Sequence, residues 1–310
     1  MDLLVIGTLA FDAVETPYGK RDDVLGGSAS YCGTCASYFA SVGLVGVIGA
    51  DFPQAHFDFF KSRKIDTAGV QRAAGKTFRW RGVYEKNLNV RHTLDTQLNV
   101  LADFKPVLPQ SYRRSRFVVL GNIDPGLQLS VLDQLERPRL VACDTMNYWI
   151  EGQRPALLKT LKRVQVLLVN DAEAQQLSGE HNLVKAATVI LRMGPAAVII
   201  KRGEHGALLF DRAGVFVSPA FPLDRVIDPT GAGDSFAGGM FGYVASRKRF
   251  DAKTLRAGMI MGTVMASFSV QDFSLEGLLH LTHKAVRKRV AEYAALTQLA
   301  PLKLDPFAAA

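Results

Sequence analysis

The segment DPTGAGDSFAGG, residues 228–239, places two aspartates around a glycine-rich turn that runs into a predicted helix. Such a turn exposes unpaired backbone N–H groups at the positive end of a helix dipole, which suits it to hold a phosphate. Gly231, Ala232 and Gly233 let that backbone approach an anion closely. Asp234 alone would be interpreted as a helix cap, but beside a phosphate it can accept a proton from an attacking hydroxyl group. The segment therefore predicts phosphoryl transfer, although the chain has no Walker A sequence.

Composition limits the classes of protein to which the chain can belong. At 310 residues and 48% hydrophobic content, it can form one large domain with a substantial core. Its net charge of +8 favours anionic ligands such as nucleotides. The basic runs at 112–116 and 283–293 lack the interleaved aromatic residues of a single-strand binder. We therefore expect no nucleic-acid partner.

The amino-terminal residues and the cysteines indicate in which cellular compartment the protein is expected. Residues 1–10 carry an early acid and no basic region, so they predict a first strand rather than a signal peptide. No apolar run reaches the roughly 18 residues of a membrane span, so we expect no membrane partner. Three cysteines without an export signal favour a cytoplasmic protein. Cys32 and Cys35 form a CxxC pattern, but their small neighbours predict buried packing in a helix rather than a redox or zinc site.

Short apolar runs alternate with helical patterns, which predicts an α/β protein with a mainly parallel sheet. In such sheets ligands bind beyond the carboxyl ends of the strands. Asn122, Asp144, Asn170 and Lys201 each end a predicted strand, although each one alone is more typical of a cap or turn. The predicted strands lie at 3–9, 44–49, 116–122, 139–144, 164–170 and 196–201.

Two segments lack helical periodicity and are rich in residues that favour strands: 12–25 and 77–101. We predict that they form a small β-rich lid over the carboxyl edge of the main sheet. After residue 232 the pattern predicts helices near 233–245, 252–268 and 275–297. The whole chain, 1–310, is predicted to be one domain.

The motif at 228–239 closely resembles the carboxy-terminal signature of the PfkB carbohydrate kinases, the ribokinase-like family that also includes nucleoside kinases. The resemblance covers nearly the whole chain and implies a ribokinase-like fold and an ATP-dependent kinase. The further segments that resemble the family are GTLAFD (7–12), LGGSAS (25–30), VGVIGADF (45–52), NDAEA (170–174) and KRGEHGALL (201–209).

The resemblance implies a role for each matching residue at the phosphates. Asp234 would be the general base, and Gly231, Ala232 and Gly233 would form the anion hole. Asn170 and Glu173 would orient Mg²⁺ and its waters near the phosphates of ATP. The resemblance also implies that three residues lie along the bound nucleotide: Lys201, Gly203 and Gly206.

On the acceptor side, the resemblance implies that Asp12, Gly26 and Gly27 contact the hydroxyl groups of the substrate. Many relatives have an asparagine where this chain has Tyr31, whose ring could contact a cyclitol or stack on a nucleobase. Asp228 lies where relatives often hold a monovalent cation such as K⁺, although the late loop here has the sequence SVQDFS.

Several alternatives stay open at this stage. The acceptor is a sugar, a cyclitol or a nucleoside, and the protein is a monomer or a homodimer. A catalytically inactive relative that serves as a regulatory or scaffold protein is the alternative to an enzyme, but the intact base, anion hole and NxxE motif argue against it. A nucleic-acid-binding protein would rest on net charge alone.

Overall fold

A computed structural model describes residues 1–297. Residues 298–310, which the predicted domain includes, lie outside the described residues. The strands are β1 (Leu3–Ile6), β2 (Ala10–Thr16), β3 (Gly19–Gly26), β4 (Val42–Ile48), β5 (Asp66–Arg72), β6 (Phe78–Tyr84), β7 (Arg91–Gln97), β8 (Phe117–Leu120), β9 (Leu140–Asp144), β10 (Val166–Asn170), β11 (Ala197–Lys201), β12 (Ala207–Asp211) and β13 (Gly214–Ser218).

The main sheet has nine strands in the order β13-β12-β11-β10-β9-β8-β1-β4-β5. The seven strands from β11 to β5 in this order are mutually parallel, and β12 and β13 extend the sheet as an antiparallel hairpin. Strands β1, β4, β8 and β9 are buried along their whole length, which explains their continuous apolar sequences. All six predicted strands are confirmed, whereas β5, β12 and β13 were not predicted.

Helices cover both faces of the main sheet, and alternate strand residues supply two separate cores. Leu3 and Val5 point into one core, while Leu4 and Ile6 point into the other. The helices are α1 (Ser28–Ala36), α2 (Gln54–Ser62), α3 (Pro125–Gln134), α4 (Asn147–Gly152), α5 (Arg154–Leu161), α6 (Asp171–Ser178), α7 (Leu183–Arg192), α8 (Ala232–Arg247), α9 (Ala252–Ser269), α10 (Glu276–Leu279) and α11 (His283–Thr297).

Two of the helix predictions are confirmed, and the third is confirmed in part. Helices α8 and α9 match the predicted segments, but the predicted segment 275–297 is divided into α10 and α11. Both thiols of the CxxC pattern are buried in α1, with the Cys35 side chain fully enclosed. Within residues 1–297, no helix is long and apolar enough to cross a membrane.

The second sheet, which we call the lid sheet, consists of β2, β3, β6 and β7 in the order β3-β2-β6-β7. Strands β6 and β7 fall within the predicted lid segment 77–101, whereas β2 begins two residues before the predicted segment 12–25 and β3 ends one residue after it. Asp12 is the register partner of Trp80 on the parallel strand β6, so both side chains lie on one face. On this face Val14 and Tyr84 pack with Phe273 in a small apolar cluster. The lid sheet therefore presents one polar and aromatic face to two loops, the one before α8 and the one after α9.

Candidate active site

The glycine-rich turn at 228–234 ends in the first turn of α8. Gly231 is the N-cap residue of α8 and has a φ of +72°, in the left-handed region that glycine tolerates. A Cβ atom at Gly231 would lie 2.5 Å from three ring carbons of Tyr31. Both the backbone conformation and the lack of space therefore require glycine at this position.

The N-terminus of α8 offers free hydrogen-bond donors. No side chain caps this helix. The N–H group of Ala232 donates to the carbonyl of Pro229 at 3.1 Å, whereas those of Gly231, Gly233 and Asp234 have no acceptor within residues 1–297. Donors of this kind, at the positive end of a helix, can receive an anion. Of the three residues predicted to form the anion hole, Gly231 and Gly233 thus have free donors and Ala232 does not, and the anion hole itself stays a prediction.

Asp234 lies half-buried in the first turn of α8. Burial raises the pKa of its carboxyl group from 3.8 to about 7, with a further rise from the charge of Asp144 and an opposing effect of Lys201. A carboxyl group with a pKa near neutrality can both accept and release a proton at physiological pH. This is the property required of a general base.

Three neighbouring strands end beside this turn and bring their last side chains together. Asp144 ends β9, Asn170 ends β10 and Lys201 ends β11. The Nζ atom of Lys201 donates to Oδ2 of Asp144 at 2.8 Å. Burial opposes the charge on Lys201, but the carboxylates of Asp144 and Glu173 raise its pKa above the usual value. Lys201 therefore carries a positive charge at the edge of the site.

Asn170 and Glu173 form a capping box at the start of α6. The Asn170 side chain accepts from the N–H group of Glu173 at 2.7 Å, and Glu173 Oε2 accepts from the N–H group of Asn170 at 2.8 Å. Burial raises the pKa of Glu173 to about 7, with Lys201 opposing the rise. A second carboxylate oxygen of Glu173 makes no hydrogen bond to the described part of the chain.

Residues 1–297 contain no group of three or more His, Cys, Asp or Glu side chains that could hold a metal by themselves. Mg²⁺ commonly keeps several waters and binds through one or two carboxylates together with substrate phosphates. The free oxygen of Glu173 fits a hydrated ion of this kind, because a water bound to Mg²⁺ can donate a hydrogen bond to it.

Asp12 lies on the inner face of the lid sheet and is buried, with its carboxylate packed directly against Gly26. Burial raises the pKa of Asp12 to about 7, and the charges of Asp228 and Asp234 raise it further, while the N–H group of Gly27 opposes the rise. The effect of the Asp234 charge on the pKa of Asp12 indicates that the predicted acceptor-binding aspartate and the predicted base belong to one site. Gly27 has a φ of +91° and is the N-cap residue of α1.

Asp228 is almost completely buried, and both its carboxylate oxygens accept backbone N–H groups. Oδ1 accepts from Thr230 at 2.8 Å and Oδ2 from Ser274 at 3.3 Å. Burial raises its pKa despite these hydrogen bonds. Asp228 thus connects the turn before α8 to the loop after α9, and its role as a cation ligand stays a prediction.

The predicted nucleotide loop follows β11. Gly203 and Gly206 both have positive φ, at +52° and +80°. The turn between β6 and β7 of the lid sheet reaches this loop, since a Cβ atom at Gly203 would lie 2.8 Å from Oδ1 of Asn89. Asn89 Nδ2 also donates to Oε1 of Glu204 at 3.4 Å. The lid sheet therefore contacts the predicted nucleotide loop as well as the glycine-rich turn.

The ring of Tyr31 lies beneath Gly231 and is 1% exposed. Its hydroxyl group is buried without a hydrogen-bond partner in the described chain. The substrate-contacting role predicted for Tyr31 stays a prediction, because in this arrangement the ring supports the turn before α8.

Sequence reasoning gave no role to several residues at this site. Asp144 was noted only as a strand end, and its partner Lys201 is 57 positions away. Tyr84 was not singled out, but its hydroxyl group accepts from Oγ1 of Thr230 at 3.1 Å and so connects the lid sheet to the glycine-rich turn. Trp80 was also missed; its half-buried indole lies over Gly82, next to Asp12.

Comparisons with known proteins agree with this geometry. A family model described as pfkB family carbohydrate kinase matches residues 3–278. The chain is 33% identical over 266 residues to a cytidine kinase of Thermococcus kodakarensis, a match that covers 84% of this chain and 94% of that kinase.

Solved structures resemble the fold at lower identity. A nucleoside kinase of Methanocaldococcus jannaschii, an archaeal member of the ribokinase family, superposes with a TM-score of 0.72 at 19% identity, covering 94% of this chain and 99% of that one. Aminoimidazole riboside kinase from Salmonella enterica, complexed with aminoimidazole riboside and an ATP analogue, gives a TM-score of 0.73 at 21% identity, covering 93% and 99%. At these identities the likeness shows the fold.

Proposed function

Because the chain belongs to the pfkB family of carbohydrate kinases, we propose that it transfers the γ-phosphoryl group of ATP to a hydroxyl group of a nucleoside. Kinase activity on a sugar or nucleoside, with ATP as donor, follows from the family. The nucleoside acceptor and the roles of individual residues are our proposal. The observation that carries it is the position of Asp234 and of the Lys201 ammonium group beside the free N–H groups of α8, where a Cβ atom at Gly233 would lie 3.0 Å from Nζ of Lys201.

In the proposed reaction the acceptor hydroxyl group lies between Asp12 and Asp234. Asp234 takes its proton as the oxygen attacks the γ-phosphorus atom. The new bond forms between the acceptor oxygen and phosphorus, while the bond from phosphorus to the β,γ-bridging oxygen breaks and ADP leaves with the electron pair. The free N–H groups of Gly231, Gly233 and Asp234 donate to the oxygens of the transferred group.

Mg²⁺ would be held through the phosphates and through waters oriented by Asn170 and Glu173, and it would neutralise charge on the phosphates. A positive ion near Glu173 favours the ionised form of a carboxyl group whose pKa burial has raised to about 7. Lys201 adds a second, fixed positive charge. We also propose that Asp228 holds K⁺ near the same turn.

A nucleoside acceptor is supported by the aromatic side chain next to Asp12. Trp80 is the register partner of Asp12, and its half-buried indole lies over Gly82, with the guanidinium carbon of Arg91 5.4 Å from the ring centroid. An aromatic surface beside a hydroxyl-binding carboxylate suits a ligand with a planar base and a sugar. The related cytidine kinase acts on such a ligand by its name.

We propose that the lid sheet, which arises from the predicted segments 12–25 and 77–101, closes over the acceptor and excludes water. Water would otherwise compete for the phosphoryl group. The contacts of the lid sheet to Thr230 and Gly203, which the described chain already makes, are the contacts that we expect of a closed lid. A cytoplasmic location and a monomeric or homodimeric state complete the proposal.

A coupled assay of ADP release would test the function with ATP and Mg²⁺ against cytidine, other nucleosides, ribose, fructose and inositol. We expect a nucleoside to give the highest kcat/KM. The Trp80→Leu variant should raise KM for that nucleoside at least tenfold, with little change in KM for ATP. A preference for a free sugar or inositol, or an unchanged nucleoside KM in this variant, would remove the nucleoside proposal while leaving the kinase class intact.

A further inference from the structure

Lys201 and Asp144 form an ion pair across the carboxyl edge of the main sheet. Their strands, β11 and β9, are separated by β10, so the Lys201 side chain crosses the end of β10 to reach its partner. The Nζ–Oδ2 distance is 2.8 Å, and the two side chains are 19% and 8% exposed. The second oxygen of Asp144 accepts from the N–H group of Thr145 at 2.9 Å, which fixes the carboxylate. Asp144 is thus a rigid anchor for a flexible lysine.

The anchored ammonium group lies at the N-terminus of α8. A Cβ atom at Gly233 would lie 3.0 Å from Nζ of Lys201, so the charge lies almost against the backbone of the glycine-rich turn. The N–H groups of Gly233 and Asp234 next to it have no acceptor in the described chain. An anion that enters this turn would therefore meet two backbone donors and one fixed positive charge together.

Two other carboxylates compete for the same lysine. Lys201 also interacts electrostatically with Glu173 and Asp234. Without Asp144, the ammonium group could move onto either of them. On Asp234 the ammonium group would stabilise the ionised carboxylate and so weaken it as a base. The direct hydrogen bond to Asp144 gives Lys201 one defined partner instead.

We propose that Asp144 is a positioning residue that holds the Lys201 ammonium group over Gly233, where this cation contacts the transferred phosphoryl group. The inference rests on the proposed function and adds a residue for which sequence reasoning found no role. Asp144 itself touches no reacting atom in this proposal. Its effect on catalysis therefore passes entirely through Lys201.

A double-mutant cycle tests this dependence with the full chain and the acceptor identified in the screen. The variants are Asp144→Asn, Lys201→Met and the two combined, each measured for kcat and for the KM of ATP and of the acceptor. We expect Lys201→Met to lower kcat roughly a hundredfold, as for the loss of one oxyanion donor, and Asp144→Asn to lower it roughly tenfold. The KM of the acceptor should stay within about twofold, because neither side chain is proposed to bind it.

The combined variant decides between positioning and an independent role. If Asp144 acts through Lys201, the combined variant should be no slower than Lys201→Met alone. A further tenfold loss in the Lys201→Met background would overturn the proposal, as would a wild-type kcat in Asp144→Asn. If Asp144→Asn does not fold, kcat of the combined variant can still be compared with kcat of Lys201→Met. The combined variant should fold more readily than Asp144→Asn, because it leaves no unpaired charge in the buried pair.

A matched control is the exposed pair Asp133 and Arg163, joined by a contact of 2.5 Å. Asp133→Asn should leave every kinetic constant unchanged. Wild-type protein that transfers no phosphate to any acceptor in the screen would instead refute the proposed function.

Discussion

Asp234→Asn should have opposite effects on turnover and on stability. Asparagine keeps the size of the side chain but cannot take a proton from the acceptor at neutral pH. We expect kcat to fall roughly a hundredfold to ten-thousandfold, the range of a positioned general base. The Kd of ATP should change little, because the free N–H groups of Gly231 and Gly233 remain.

The stability change follows from the pKa of Asp234, which is higher in the folded chain than in the unfolded chain. The ordinary pKa of this group is 3.8, and ionisation therefore destabilises the folded state increasingly between pH 3.8 and about pH 7, and fully above that pH. At about 1.4 kcal/mol per pH unit, the ceiling is about 4 kcal/mol. Since Asp234 is only half-buried and asparagine removes a partner of Lys201, we expect a gain of about 1–2 kcal/mol at pH 8. The gain should shrink at pH 5.

Urea unfolding at pH 8 and pH 5, together with steady-state kinetics on the same preparations, measures both effects. Asp251→Asn is the control, because Asp251 also lies at a helix start, where it accepts from the N–H group of Thr254 at 2.8 Å as the N-cap of α9. Asparagine caps about as well as aspartate, so the control should keep its turnover. A value of kcat within threefold of wild type for Asp234→Asn, or a loss of stability at pH 8, would refute our account of this carboxylate.

Three further predictions concern the structure around the site. Gly231→Ala should destabilise the fold by about 1–2 kcal/mol more than the control Gly179→Ala, and it should abolish turnover. Both glycines have similar positive φ, but only Gly231 has an aromatic ring against its Cα. Equal shifts in Tm for the two variants would contradict this prediction. Replacing Cys32 and Cys35 by alanine should lower stability without changing kcat or its response to reductant, since both thiols are buried; bound zinc in wild type, or activity that depends on reductant, would show that they are not packing residues. Tyr84→Phe should speed hydrogen exchange in the lid sheet of the ligand-bound enzyme by removing the hydrogen bond to Thr230; equal exchange with and without ligands in the wild-type lid sheet would rule out closure.

The fold class was predictable because hydrophobic patterning is strongest where strands are buried on both faces. The strands that were missed lie at or near the ends of the sheet. β5, with the sequence DTAGVQR, has mostly exposed or half-buried residues and little apolar pattern. β12 and β13 form an antiparallel hairpin, and β12 begins inside 201–209, the segment that resembles the nucleotide loop of the family. The break at 280–282 between α10 and α11 was also missed, since neither proline nor glycine marks it.

The candidate site was predictable where a local motif carries it. The turn before α8 and the NxxE motif each lie within a few residues, so their chemistry is visible in the sequence. The pairing of Asp144 with Lys201 depends instead on the strand order β9-β10-β11, which alternating βα units do not specify. The place of the Tyr31 ring depends on its rotamer and on the absence of a Cβ atom at Gly231.

Because Asn170 and Glu173 form a capping box, their retention during evolution is weak evidence that the protein is catalytically active. Each side chain satisfies a backbone N–H group of α6, so substitution would weaken the helix even in a descendant that no longer catalysed anything. Selection for folding alone would therefore retain NxxE. Asp234 has the opposite character, because its ionisation destabilises the folded chain. Without selection for turnover, drift would remove Asp234 first, and its presence here is the better sign of a working kinase.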